Sequence, residues 1–283
     1  MIKYRRLFTG GICNNDCVLC PVTSERAGYS LGQILDEMGS PEGSVDSLEL
    51  YGGEPALRQD LTDLIGEAKQ RGWRRVKMTT NARAFADPQA VISTMQAGVR
   101  VFEVKLLGHV PQLHDALTQS PGSFMETIQG LSNLHNVQVP KEVKTFVGVR
   151  VGVGAVNYPY LPQIVSFIMQ VGADRVTLSL DDPQAHMSDV AASLKAAIDT
   201  GLVNSTWVQT EGVPPCLMGG YEHHVHESFG IVEGERERCE PCAACAYSTC
   251  AGIAPAYLEA NGSSEFVAVL SSVHAKRMKE AAG

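Results

Sequence analysis

Short β-branched or apolar runs return along the chain at intervals that suit strand, helix, strand units: YRRLFTG, DSLELYGG, RRVKMTTN, RVFEVKLLG, KTFVGVRVGVGAVN and DRVTLSLDD, six predicted strands. Helix-like segments lie between most of them: LGQILDEM, QDLTDLIGEAKQRG, ADPQAVISTMQAG, SFMETIQGLSNL, YLPQIVSFIMQVG and SDVAASLKAAIDTG. Asp87 followed by Pro88 reads as an N-cap and first helical position, and Ser123 with Glu126 reads as a capping box. Gly72, Gly98, Gly172 and Gly201 are placed to close helices in the left-handed conformation.

Strands that alternate with helices imply a parallel sheet, because each right-handed crossover lays its helix over the sheet. The predicted class is α/β, a partial (β/α)6 TIM-like barrel with a small Cys-rich C-terminal domain. In such folds ligands collect at the C-terminal ends of the strands. After Leu202 the alternation gives way to a Cys-, Gly- and Pro-rich stretch, so a boundary is expected there: a barrel over 1–202 and a Cys-rich domain over 203–283.

Composition narrows the chemistry. A chain of 283 residues buries a full-sized core without disulfides. The N-terminus MIKYRRLFTGGIC carries charges but no apolar leader, and no stretch has eighteen unbroken apolar residues, so a cytoplasmic protein with no membrane partner is expected. In a reducing compartment the eight cysteines point to metal or redox chemistry rather than disulfides. A net charge of -8 argues against a nucleic-acid partner, and the one basic run, RGWRR at 71–75, reads as a solvated helix end.

The thiols fall in two groups. Cys13, Cys17 and Cys20, in CNNDCVLC, directly follow the first predicted strand with spacing C-x3-C-x2-C. Three thiolates suit a [4Fe-4S] cluster with one iron left for an external ligand, and a zinc site completed by a distant residue is the alternative. After the second strand comes YGGEP, where Gly52 and Gly53 allow close approach to the backbone and Glu54 offers a carboxylate to an ammonium group.

In element order over roughly the first two hundred residues, and in these two motifs at the ends of successive strands, the chain resembles the radical SAM enzymes. The resemblance implies that Cys13, Cys17 and Cys20 hold a [4Fe-4S] cluster and that Gly52, Gly53 and Glu54 receive the methionyl amine of S-adenosylmethionine. It also implies reductive cleavage to a 5′-deoxyadenosyl radical that removes a hydrogen atom from a substrate. The electron would come from a low-potential donor such as a flavodoxin or ferredoxin. Leu19 stands where the family usually has an aromatic residue, which keeps apolar cover at that position. Lys105 or Arg150 would partner the SAM carboxylate, with Asn81, Glu103 and Asn157 on ribose or substrate. Glu103 and Lys105 share a strand face, so a buried ion pair between them is the alternative. Asp181 and Asp182 would either bind a polar substrate or start a turn at Pro183. The segment HDALTQSPGSF resembles one found after the fourth strand in many of these proteins, and His114 with Asp115 reads as a loop-ordering element.

The other group is Cys216, Cys239, Cys242, Cys245 and Cys250, of which four fall within CEPCAACAYSTCAG. It resembles the Twitch and SPASM appendages that carry auxiliary iron-sulfur clusters. Five thiols are enough for one further [4Fe-4S] cluster; the preferred ligands are Cys216, Cys242, Cys245 and Cys250, with Cys239 the spare, and a four-thiolate zinc site is the alternative. His223, His224 and His226 are expected as alternating side chains of an exposed segment. The expected function is radical SAM oxidation or bond formation on a small molecule or cofactor precursor, a preference resting on how soon the chain enters its first strand. A peptide- or protein-modifying maturase and a non-catalytic metal-binding module are the competing readings.

Overall fold

The structure is a computed structural model that describes residues 3–20, 22, 28–137, 144–229 and 234–271. Seven strands follow one another in a sheet ordered as in the sequence: β1 Tyr4–Phe8, β2 Ser47–Tyr51, β3 Arg75–Thr80, β4 Val99–Lys105, β5 Phe146–Val153, β6 Arg175–Leu180 and β7 Trp207–Glu211. The six expected strands are present, and β7 carries the alternation past Leu202. The helices are α1 Leu31–Met38, α2 Leu61–Gln70, α3 Pro88–Ala97, α4 Pro111–Thr118, α5 Ser123–Asn136, α6 Leu161–Val171, α7 Met187–Val203 and α8 Pro255–Asn261. No described helix is long and apolar enough to cross a membrane. The chain divides into two compact units, Met1–Arg150 with Gln170–Asp174, and Val151–Met169 with Arg175–Gly283.

In the first unit the strands are two-faced. The row Leu7, Leu50, Met78, Phe102 is set by strand register, and each member is buried. One residue earlier on β1 to β3, the row Arg6, Glu49, Lys77 is charged. Lys77 Nζ lies 3.1 Å from Glu49 and also contacts Glu103 Oε2, and the hydroxyl of Thr79 donates to Glu49 at 2.6 Å. Burial works against the Lys77 ammonium, but the two carboxylates outweigh it and hold its pKa above the ordinary value. The expected buried ion pair of Glu103 thus has a different partner. In register Glu103 faces Thr79 and Lys77 faces Val101, so the long Lys77 side chain reaches Glu103 diagonally across the two strands.

Helix ends show where local signals suffice. Asp87 caps α3 through the N–H of Gln89 at 2.9 Å, with Pro88 beside it, as expected. Gly72, Gly98 and Gly172 have positive φ; Gly201 does not, since α7 continues to Val203. A side chain at Gly201 would place Cβ 2.3 Å from Val208, so packing against β7 explains this glycine. Ser123 and Glu126 do not form a capping box. The cap of α5 is Asp115, whose carboxylate accepts from the N–H groups of Gly122 and Phe124, both at 2.7 Å, and from the Ser123 hydroxyl at 2.9 Å. The capping box occurs instead at Ser30 and Gln33 of α1.

In the second unit β6 and β7 pair in register, and Gln209 donates to Thr177 across them at 2.9 Å. Beyond β7 regular structure is sparse among the described residues: short single-turn helices, the bridge Glu237 to Ile253, and α8. Tyr257 of α8 fixes the start of α7, accepting from the Met187 N–H at 2.8 Å and donating to Glu265, which takes the Ser188 N–H at 2.7 Å.

Candidate functional site

The loop after β1 carries Cys13, Cys17 and Cys20, and three neighbouring segments hold it. Along one side the parallel ladder continues past the ends of β1 and β2: the N–H of Gly53 donates to Gly10 at 2.8 Å and that of Glu54 to Ile12 at 2.7 Å. A Cβ at Gly52 would lie 2.4 Å from the Gly10 oxygen, and one at Gly53 would lie 2.3 Å from that of Ile12. Both positions require glycine because the cysteine loop presses against them, and Gly52 also has a φ of 146°. On another side, Asp16 and Val18 donate backbone N–H groups to the last carbonyls of α4, Thr118 and Leu117, both at 2.9 Å. Such carbonyls have no partner within their own helix, so the loop satisfies them.

The third support comes from β3. Asn81 donates its side-chain amide to Asn14 at 2.7 Å and to the Cys13 sulfur at 3.7 Å. Arg83 donates to the Asn14 carbonyl and, at 2.7 Å, to the Asn15 side chain, while its Nε pairs with Glu126 at 2.6 Å. None of Asn14, Asn15 and Arg83 was expected in the site. The Asn-Asn pair inside CNNDC and the arginine just after MTTN were the available signals.

Glu54 is buried, and its carboxylate accepts from Ala56 N–H at 3.0 Å, the Thr80 hydroxyl at 2.7 Å and Asn81 N–H at 2.6 Å. Burial pushes its pKa up, and those donors together with Lys105 pull it back only in part. The same residue lines a cavity of about 430 Å³ with Thr9, Gly10, Ile12 and Arg58. Burial, then the neighbouring Cys13 and Cys20, push the Cys17 thiol up to about 11. Lys105 acts on Cys17 and Glu54 alike, and Arg150 is its register partner on β5.

In the second unit, burial and then Cys250, Cys245 and Cys242, in that order, push the Cys216 thiol up to about 12. Cys239 is not among these neighbours; its sulfur lies 3.5 Å from that of Cys242. Glu227, buried and raised to about 7 mainly by desolvation, acts on Cys250 and was not foreseen.

The remaining candidates make hydrogen bonds, ion pairs or ring contacts of their own. Asn157 accepts from Gly154 N–H and donates to the Gly152 carbonyl, both at 2.8 Å. Asp182 accepts from Ala155 N–H at 3.0 Å and Gln184 N–H at 2.9 Å, and Asp181 accepts from the Ser179 hydroxyl at 2.6 Å. His114 accepts from Leu107 N–H at 3.2 Å, and burial drives its pKa down to about 4. His223 is exposed, but His224 is buried against Trp207, with ring centroids 4.6 Å apart. His226 pairs with Glu211 at 2.8 Å.

The thiols fit iron-sulfur chemistry by their donor type, since proximity and burial oppose free thiolates and a bound cation reverses that. Among the described residues no group of three His, Cys, Asp or Glu side chains is arranged to hold a single metal ion. A cubane cluster gives each thiolate its own iron and needs no such convergence.

A parallel α/β sheet with a three-cysteine loop on its first strand defines a class, and residues 7–168 match the profile of the Radical SAM superfamily. The chain belongs to that superfamily and is a radical SAM enzyme, a family that uses S-adenosylmethionine and a [4Fe-4S] cluster. It is 35% identical over 80 residues to a "Probable GTP 3',8-cyclase" of Saccharolobus islandicus, covering 27% of this chain and 26% of the relative. With the AdoMet-dependent heme synthase of Methanosarcina barkeri it shares 28% over 149 residues, 49% of this chain and 40% of that one. The chain thus spans between about a quarter and two fifths of these curated relatives. Among solved structures it resembles Streptococcus suis SuiB bound to its precursor peptide SuiA, with a TM-score of 0.56 and 15% identity over 75% of this chain and 49% of SuiB. It also resembles methylornithine synthase (PylB), with a TM-score of 0.50 and 13% identity over 76% and 73% of the two chains. These likenesses concern the fold.

Proposed function

We propose that Cys13, Cys17 and Cys20 hold the SAM-binding cluster and that the protein cleaves S-adenosylmethionine to oxidise, or form a bond in, a small molecule or cofactor precursor. The observation that carries this reading is the backbone lock between the cysteine loop and Gly52 to Glu54, which brings thiols and a buried carboxylate to one strand end. When bound, cluster and cosubstrate supply a low-potential electron and a cleavable carbon-sulfur bond. Glu54 receives an ammonium group: three donors aim the carboxylate, and a bound cation relieves the burial that raises its pKa. Lys105, with Arg150 beside it in register, supplies positive charge for a carboxylate. The small-molecule preference follows the names of the curated relatives, a nucleotide cyclase and a heme synthase.

Cys216, Cys242, Cys245 and Cys250 are proposed to hold a second cluster in a Twitch/SPASM-like segment, with Cys239 spare; the influence of Cys250, Cys245 and Cys242 on the buried Cys216 thiol supports this set. Electrons would come from a flavodoxin or ferredoxin. The protein is placed in the cytoplasm, where thiols stay reduced.

Anaerobic reconstitution, metal analysis and a SAM-cleavage assay on one sample test both assignments. Iron and 5′-deoxyadenosine are expected from the wild type, and replacing Cys13, Cys17 and Cys20 by Ala should abolish the product. Undiminished product from that variant, or zinc in place of iron, would overturn the first assignment. Replacing the C-terminal four should lower iron yet spare uncoupled cleavage, and unchanged iron would reject the second centre.

A further inference from the structure

Asn81 touches both halves of the proposed SAM site. Its backbone N–H donates to Glu54 Oε2 at 2.6 Å, while its side-chain amide donates to the Cys13 sulfur at 3.7 Å and to Asn14 Oδ1 at 2.7 Å. The amide orientation is fixed from the other end, because its oxygen accepts the Arg83 N–H at 3.0 Å; the flipped amide would set N–H against N–H. Arg83 in turn holds Asn14 and Asn15, so the segment 81–83 grips the cysteine loop as one piece. Asn81 is buried, and its carbonyl accepts the Thr127 hydroxyl at 3.0 Å, which anchors it to α5.

Cys13 consequently accepts two N–H groups, from Asn81 and from the backbone of Asn15 at 3.4 Å. Hydrogen bonds to a cysteinyl sulfur draw charge off it and raise the reduction potential of the iron-sulfur centre it ligates.

We propose that Asn81 is a positioning residue with an electronic effect: it ties the Glu54 carboxylate to Cys13 and raises the potential of the cluster on that loop through its amide-to-sulfur hydrogen bond. This rests on the assignment of Cys13, Cys17 and Cys20 as cluster ligands.

The test is a redox titration of the reconstituted cluster, followed by electron paramagnetic resonance, in the wild type, Asn81→Ala and Asn81→Asp, each with the C-terminal cysteines also replaced so that one centre is read. Asn81→Ala removes the donor and should lower the potential. Asn81→Asp keeps the size and the oxygen that meets Arg83 N–H but sets an acceptor against the sulfur, so it should lower the potential further. A purely structural role predicts the reverse order, with the near-isosteric Asp closest to wild type. Equal potentials in the three proteins would overturn the proposal, as would loss of iron uptake in both variants, which would make Asn81 a folding residue. Absence of iron or of 5′-deoxyadenosine in the wild type would instead sink the cluster assignment itself.

Discussion

The two cysteine-bearing regions are held by different means. The loop of Cys13, Cys17 and Cys20 is short, and regular structure grips it on three sides: the ends of β1 and β2, the carbonyl end of α4, and the Asn81 and Arg83 arm of β3. The C-terminal thiols sit on single-turn helices and bends, tied by a bridge such as Glu237 to Ile253 and by isolated bonds such as Ala246 N–H to Val269 at 2.7 Å. A scaffold that exists before metal binds can be preorganised for catalysis. A region with little regular structure would depend on the proposed second metal centre for order, since binding energy then becomes folding energy.

Removing metal should therefore separate the regions most. Binding of structural metal by small sites is worth on the order of 10 kcal/mol. In metal-free protein, amide exchange across 212–229 and 234–253 should approach that of an unfolded chain, while 13–20 keeps protection at Asp16 and Val18. Equal loss in both would break the contrast.

The next effect is pH dependence of the support under the first loop. His114 lies in α4 and is held neutral to about 4 against an ordinary 6.5. Between those values the unfolded chain binds the extra proton and the folded chain does not. Stability that is complete above 6.5 is thus lost as pH falls toward 4, by about 3 kcal/mol from the size of the shift. Urea unfolding of iron-free protein should show this slope, and His114→Gln should flatten it; an unchanged slope would remove His114 as the cause.

The strands and the first cysteine motif were legible because both are local: period-two runs bounded by turns, and thiols at fixed spacing next to one of them. What escaped was tertiary. Lys77 is one basic residue in a basic strand until strand pairing brings Glu49 opposite it and Glu103 diagonally across from it. Asp115 caps a helix several residues ahead, beyond the reach of a capping-box pattern. The short α4, PQLHDALT, hides its apolar side behind His and Asp, yet it supports the loop. Strand β7, WVQTE, has too few apolar residues to announce itself, although Gly201 is shaped to receive its Val208.

The remaining contrasts are smaller and act on one support at a time. Arg83→Ala deletes charged hydrogen bonds to Asn14 and Asn15 and the pair with Glu126, from a side chain only 14% exposed. A cost of about 2 kcal/mol, read as faster amide exchange over 13–20, is expected, with Arg83→Lys recovering part of it. If the loop were held by its metal alone, neither variant would change exchange in the metal-free protein. Tyr257→Phe is the corresponding probe of the second unit. It removes a hydroxyl that accepts from Met187 N–H and donates to Glu265, leaving a buried N–H at the start of α7 without that partner. The expected loss is about 1 kcal/mol, seen as a lower urea midpoint with unchanged slope. Because this pin joins α8 to α7 and touches no thiol, the loss should persist with metal bound. A loss that vanished on reconstitution would mean that the C-terminal region is ordered by its metal as far as α8, and would move the boundary of the metal-dependent part outward.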